Sequence, residues 1–416
     1  MKILLVNTNR YTNPPVPPIA LEYLAAALER CGHEPLIVDL CFAADPMAAL
    51  TAAVEDFRPQ VAGVTIRNID TAICRNNVFF LDEVAGYVGR LEALGVPVIE
   101  GGAGFSFAPR EILRFTGGSW GIAGPGEEAL PRFLDRLRAE KIPRGEIIDG
   151  WSAPFDPELA VSGRGRQVDY AKYLQNSGIA GFETQIGCFG ECAYCAERGR
   201  RVVLRRPERV VEEIRSLALK GITDFHLCDS EFNQELSFCH GFAEVLAREE
   251  LEISWALYMK SAPADFRLFE LLASSGATLI TLSLPSGPDG LTRAGLFAES
   301  ARDNGIHLAV DYLCGFPGQD PEALRRDLDR LRNIQPDTVG LNCFIRLYSG
   351  LPLTDRILAD ESLRSGLSGA LENNPSLLRP VFYSSISLEQ LAAFVDGDPL
   401  FRIEGFERTS NYQRVR

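Results

Sequence analysis

Short, near-continuous apolar runs alternate with helical patterns through most of this chain, and that alternation restricts the fold more than any other feature. In the first stretch Ile3 to Val6, Leu36 to Leu40, Val61 to Ile66, Val96 to Ile99 and Trp120 to Ala123 read as strands. A strand without polar alternation is buried on both faces, so these runs predict a parallel sheet covered by helices on each side. The first helix opens after Pro17-Pro18, sets Leu21, Leu24, Ala25 and Leu28 on one face and stops at Gly32. Residues 1–135 are therefore expected to form a doubly wound, Rossmann-like α/β domain, whose ligand binds beyond the carboxyl ends of the strands.

Residues 136–180 are rich in charge, Gly and Pro and read as a linker. The alternation then resumes, with strands expected at Phe182 to Ile186, Asp224 to Cys228, Ser254 to Met259, Thr278 to Leu284, His307 to Cys314 and Thr338 to Tyr348. Six such units over 181–350 predict an open, partial (β/α)6 barrel, with its chemistry at the strand C-terminal ends. A C-terminal extension, 351–416, holds a short amphipathic helix from Leu388 to Val395 and is expected to close the open side of the barrel.

The balance of 42 Lys+Arg against 56 Asp+Glu, −14 over 416 residues, disfavours a nucleic-acid partner, which needs positive charge to neutralise phosphates. No apolar run reaches the length of a membrane span, and the first residues are too briefly apolar for a signal peptide, so a cytoplasmic protein is expected. Ten cysteines are many for disulfides in a reducing compartment, which turns attention to their spacing.

Cys188, Cys192 and Cys195 form a C-x3-C-x2-C triplet, Gly187-Cys188-Phe189-Gly190-Glu191-Cys192-Ala193-Tyr194-Cys195, immediately after the first strand of the second domain. This spacing arises by chance in roughly 0.006 chains of such composition, so a chemical role is the better reading. Thiolates are the natural ligands of iron–sulfur clusters, and three on one loop hold three irons of a [4Fe-4S] cluster. Zinc is the rival, but it wants a fourth protein ligand or a His, and no His lies nearby.

In this context the triplet resembles that of the radical S-adenosylmethionine (SAM) enzymes. The resemblance implies that the fourth iron binds SAM and reduces it to a 5′-deoxyadenosyl radical. It also implies SAM contacts from Tyr194, beside the last cysteine, from Asp229 and Glu231 after the second barrel strand, from Ser283 at the end of the fourth and from Gly315 after the fifth. Tyr258, Lys260 and Asp311, on or at the ends of strands, are candidate catalytic residues.

The first strand of the chain is followed by Asn7-Thr8-Asn9-Arg10-Tyr11, with no G-x-G-x-x-G entering the helix, which argues against a nicotinamide or flavin site. Its ordered segments, PPVPPIALEYLAAALERCGHEPLIVDL, VAGVTIRNID, VIEGGAGFSF and GIAGPGEEALPRFL, are similar to the cobalamin-binding domain that precedes the barrel in one radical SAM subgroup. That similarity implies cobalamin contacts from Thr8, Arg10, Tyr11, Arg67, Asn68, Gly101, Gly102, Phe105, Gly124, Gly126 and Glu127. Gly101, Gly102 and Gly104 are expected to let backbone approach a large flat ligand. The D-x-H-x-x-G signature that supplies a His to cobalt is absent, so Arg67, which has no lone pair to donate, is the candidate at the lower cobalt face.

The function expected is a cobalamin-dependent radical SAM methyltransferase. Its substrate would be an unactivated carbon, or a phosphinate phosphorus, of a small or lipid-like metabolite, and its electron donor a flavodoxin or ferredoxin. The alternative is a cyclase or ring-rearranging enzyme with the same cofactors and no methyl transfer.

Overall fold

The computed structural model describes residues 1–159, 161, 163–285 and 288–403. It divides into two compact units, one of Met1–Thr71 with Val78–Ala180, the other of Ala72–Asn77 with the described residues from Gly181 onward.

In the first unit β1 (Lys2–Asn7), β2 (Glu34–Asp39), β3 (Val61–Thr65), β4 (Val98–Gly101), β5 (Trp120–Ala123) and β6 (Ile147–Asp149) form one parallel sheet in the order β2-β1-β3-β4-β5-β6. Ile3, Leu4, Leu5 and Val6 are all fully buried, as a central strand covered on both faces requires. Because β2 and β3 flank β1 on opposite sides, the connections after β1 and β3 leave in opposite directions, and their C-terminal ends border the crevice where such sheets bind ligands.

The segment expected as a linker is structured as part of this unit. Ile147–Asp149 supplies the sixth strand, and Arg164 forms a buried ion pair with Glu22 on the helix Ile19–Arg30, with Tyr170 bridging the two. A three-residue strand leaves no periodicity to read, and a buried Arg has the same letter as a solvated one.

In the second unit β7 (Ala180–Phe182) is followed by an antiparallel ribbon of β8 (Gln185–Cys188) and β9 (Arg200–Leu204). The strand expected at Phe182 to Ile186 is thus two strands in two sheets. Next come β10 (Asp224–Leu227), β11 (Ser254–Lys260), β12 (Ala277–Pro285), β13 (His307–Leu313) and β14 (Thr338–Asn342). Then β15 (Ile345–Arg346), β16 (Leu367–Gly369) and β17 (Val381–Tyr383) make a small antiparallel sheet, and β18 (Phe401–Ile403) ends the described chain. The main sheet has seven strands, in the order β18-β14-β13-β12-β11-β10-β7, one more than the six expected, because the extension contributes β18 parallel to β14. The helix Leu388–Val395 lies where the sequence places it, and the extension's residues 404–416 fall outside the described residues.

Trp255, Leu257 and Met259 alternate with the less buried Ala256, Tyr258 and Lys260 along β11. Trp255 packs in an aromatic cluster with Phe182, Phe232 and Phe242, so the other set lies on the opposite face of the sheet. The register then sets Lys260, Ser283, Asp311, Gly340 and Arg402 in one row across five strands. No helix among the described residues is long and apolar enough to cross a membrane.

One buried carboxyl in the first sheet gives a pH test of the fold. Glu100 on β4 accepts the Thr116 hydroxyl at 2.5 Å through one oxygen, while the other oxygen is buried without a partner. Burial pushes its carboxyl up from 4.5 to about 7. The folded chain therefore keeps a proton that the unfolded chain releases. That contribution is complete below the ordinary value and is lost as pH rises through the raised one. Urea denaturation at about pH 5 and about pH 8 is expected to show Glu100→Gln flattening this slope, leaving the variant more stable than wild type at the higher pH by on the order of 2 kcal/mol.

Candidate active site

The cysteine loop leaves the end of β8. Gly187, at φ +88°, must be glycine, because a Cβ there would lie 2.1 Å from the Arg201 carbonyl oxygen across the ribbon. The loop is closed at its base by Gly199 N–H donating to Gly190 O at 2.9 Å, and turned at its tip by Cys195 N–H donating to Cys192 O at 3.1 Å. Leu353 N–H donates to Ala193 O at 3.1 Å and holds the tip against the helix Pro352–Ala359. Cys188 is buried and Cys192 and Cys195 are half-buried, and burial pushes the Cys195 thiol up.

Among the described residues no three His, Cys, Asp or Glu side chains converge on one metal ion. A four-iron cluster asks for something else: each cysteine takes its own iron, so three thiols spaced along one loop suit it and a mononuclear site does not. All ten cysteines are unbridged, which leaves these three available as thiolates.

The residues after β10 meet this loop from below. Asp229 is buried and accepts from Thr184 N–H at 2.8 Å, Thr184 Oγ1 at 2.5 Å and Gln185 N–H at 3.2 Å. Three of its acceptor positions are taken by the chain itself, which makes it a strut under β8. Glu231 is different. Its Oε2 is buried with no partner, and burial pushes its carboxyl up to about 7 against the opposing influence of Ser283 and of the Lys260 charge. Asp311, one strand beyond Ser283 in the same row, is pushed up to about 6 by burial. Glu231, Ser283, Lys260 and Asp311 thus form one polar group at the strand ends. Tyr258 lies on the same face, two residues before Lys260 along β11.

Tyr194 sits against Phe316, ring centroids 5.6 Å apart, at the edge of an apolar cluster that includes Ile345, Leu347 and Leu353. Gly315, at φ +81°, has a packing reason of its own, since a Cβ there would lie 2.3 Å from the Cys343 carbonyl oxygen. Gln234 is not among the residues the sequence singles out, yet its Nε2 reaches Cys188 Sγ at 3.3 Å. It stands in the same strand-end loop as Glu231, and that position was the available signal.

In the first unit the ligand-facing edge holds residues 8–11, 66–70, 101–107 and 124–127. Thr8 Oγ1 donates to Thr65 O at 2.7 Å and joins the ends of β1 and β3 at the crevice. Arg67 and Asn68 are exposed there, and Tyr11 packs beside Phe80. Three expectations change. Phe105 is fully buried over Gly121, where a Cβ would lie 2.2 Å from its ring, so it is core. Arg10 is engaged by the Leu40 and Ala43 carbonyls and Glu83. The glycines first serve the chain itself: a Cβ on Gly102, at φ +105°, would lie 2.7 Å from Ile66 O, one on Gly124 2.5 Å from the Trp151 ring, and one on Gly126 2.9 Å from Leu24. Gly101 ends β4, where its carbonyl accepts Ile66 N–H at 2.7 Å, and Glu127 is half-buried in the turn after β5.

Residues 9–134 match the family model of the B12 binding domain. The tryptophan 2-C-methyltransferase of Streptomyces laurentii is 27% identical over an alignment covering 84% of this chain and 73% of that protein. The cytidylyl-2-hydroxyethylphosphonate methyltransferase of Streptomyces wedmorensis is 21% identical over 96% of this chain and 87% of that one. Among solved structures, the radical SAM methyltransferase TsrM of Kitasatospora setae, with cobalamin and a [4Fe-4S] cluster bound, superposes with a TM-score of 0.84 at 24% identity, covering 97% of this chain and 92% of that one. With the cysteine loop at the end of β8 and a match to the B12 binding domain over residues 9–134, the chain shares its fold with that TsrM structure and is similar over most of its length to these two methyltransferases.

Proposed function

We propose that this chain methylates a small molecule, using cobalamin as the methyl carrier, SAM as the methyl source and a [4Fe-4S] cluster as its redox centre. The observation that carries this reading is the presence, in one chain, of a three-thiol loop and a B12 binding domain, matched along most of their lengths by two methyltransferases. Those relatives act, by name, on tryptophan at 2-C and on cytidylyl-2-hydroxyethylphosphonate; the substrate of this chain is proposed to be of comparable size, with an unactivated carbon or a phosphinate phosphorus as acceptor. The cluster supplies electrons and the cobalt a transferable methyl group when both are bound.

The protein's own part is to hold and orient. Cys188, Cys192 and Cys195 would bind three irons. Glu231, with its buried unpartnered oxygen, and Ser283 are suited to accept the ammonium end of SAM, while Tyr194 and the turn at Gly315 offer an apolar wall for its adenine. Asp311 and Tyr258, facing the same side of the sheet, are proposed to orient the substrate. Thr8, Arg67, Asn68 and the turns at Gly102 and Gly124 would border cobalamin at the β1/β3 crevice. A flavodoxin or ferredoxin is proposed as electron donor, and the many free thiols suit a reducing cytoplasm.

Anaerobic reconstitution tests the first assignment. The triple variant Cys188→Ala, Cys192→Ala, Cys195→Ala is expected to lose nearly all iron and the charge-transfer absorbance while still binding hydroxocobalamin; retention of the iron refutes it. For the cobalamin edge, Gly102→Ala must displace the Ile66 carbonyl, and its hydroxocobalamin affinity, read by spectral titration, is expected to fall roughly tenfold or more, about 1.4 kcal/mol. Full affinity in that variant would move cobalamin away from this edge.

A further inference from the structure

The Cys188 sulfur is met by three N–H donors: Gly190 N at 3.4 Å, Gln234 Nε2 at 3.3 Å and Lys260 Nζ at 3.4 Å. Each side-chain donor is aimed by other contacts. Lys260 ends β11, where its own N–H donates to Asn233 Oδ1 at 2.9 Å and Asn233 Nδ2 donates back to Lys260 O at 2.9 Å and to Pro263 O at 2.7 Å. Gly190 leaves the space that the ammonium fills, since a Cβ there would lie 2.7 Å from Nζ and 3.2 Å from the sulfur. Gln234 accepts Phe189 N–H through Oε1 at 3.3 Å, which turns its Nε2 toward the sulfur.

We propose that Lys260 and Gln234 are positioning residues that raise the reduction potential of the cluster by donating hydrogen bonds to the Cys188 sulfur. The inference rests on Cys188 being an iron ligand. One-electron reduction by an external low-potential donor adds negative charge to the cluster, part of it on the thiolate sulfurs. A cation and two amide donors held against one of those sulfurs stabilise the reduced form more than the oxidised one. Lys260 therefore acts on the iron centre, a role distinct from the direct catalytic part expected from its place on the strand.

The test is a potentiometric titration of full-length, anaerobically reconstituted protein, followed by EPR of the reduced cluster, with iron and sulfide measured first. Lys260→Met is expected to keep four irons and to move the midpoint to more negative potential. The reduced-to-oxidised ratio at a fixed potential should fall roughly tenfold, about 59 mV for a one-electron couple. Gln234→Leu should shift it less in the same direction, Lys260→Arg should restore most of it, and Lys141→Met, an exposed lysine of the other unit, should leave it in place. A Lys260→Met protein with four irons and the wild-type midpoint overturns the proposal. If that variant assembles no cluster, electron spin-echo modulation of wild-type protein labelled with 15N-lysine decides: a 15N coupling to the reduced cluster supports the proposal, and its absence overturns it. Cys188→Ala retaining a complete cluster would instead refute the ligand assignment itself.

Discussion

The buried carboxyl of Asp229 accepts two backbone N–H groups and one hydroxyl from Thr184 and Gln185, and the placement of the cysteine loop follows from that grip. The turn out of the main sheet after β7 is held by it together with the Arg205 N–H, which donates to Thr184 O at 2.9 Å. β8 then starts at Gln185, whose side-chain amide donates onward to the carbonyls of Glu231 and Phe232 at 2.7 and 2.8 Å. Phe232 N–H then donates to Tyr258 O at 2.8 Å, and Asn233 ties in Lys260. Residues 229–234 thereby join the base of the cysteine loop to the end of β11. Removing one partner of such a buried network leaves the others unsatisfied, at about 1–3 kcal/mol each, which makes the block stiff. Burial also pushes the Asp229 carboxyl up to about 7, because desolvation outweighs the bonds it accepts.

The first unit reaches a comparable rigidity by a different route. Its strand-end loops are joined by the Thr8 hydroxyl and by glycines that let one backbone seat against the next, among them Gly102 and Gly104 on the Ile66–Asn68 loop. Ser106 reinforces this edge, donating to Gly102 O and accepting Gly124 N–H, each at 2.8 Å. Such an edge has little backbone freedom left to lose, the preorganisation that favours binding in general.

Much of this was legible in the residues alone. The β/α alternation, the helix after Pro18 and the glycine-marked turns all state local requirements; the helix and most of the strands stand where the residues place them, while the glycines, expected to admit a ligand, first seat one part of the chain against another. The division of Phe182 to Ile186 between two sheets was not legible, because Phe-Glu-Thr-Gln-Ile is short enough to read as one strand and the break is fixed by a carboxyl 43 or more residues away in the chain. Phe105 reads like a ligand-side aromatic beside glycines, yet the missing side chain of Gly121 on the neighbouring strand draws it into the core. Arg164 reads as a surface charge until Glu22 is seen beside it.

The sequence by itself determined the parallel sheets, the order of the two units and the spacing of the three-thiol loop, because hydrophobic period, turn residues and ligand spacing are short-range properties. Tertiary structure alone decided that Asp229 is a strut while Glu231 keeps a buried, unpartnered oxygen, although the two differ by one methylene and two positions. It alone set Lys260 in a row with Ser283 and Asp311, and with its ammonium on the Cys188 sulfur. The physical reason is that a side chain's role depends on which partners occupy its polar atoms, and those partners come from strands brought together only by register and burial.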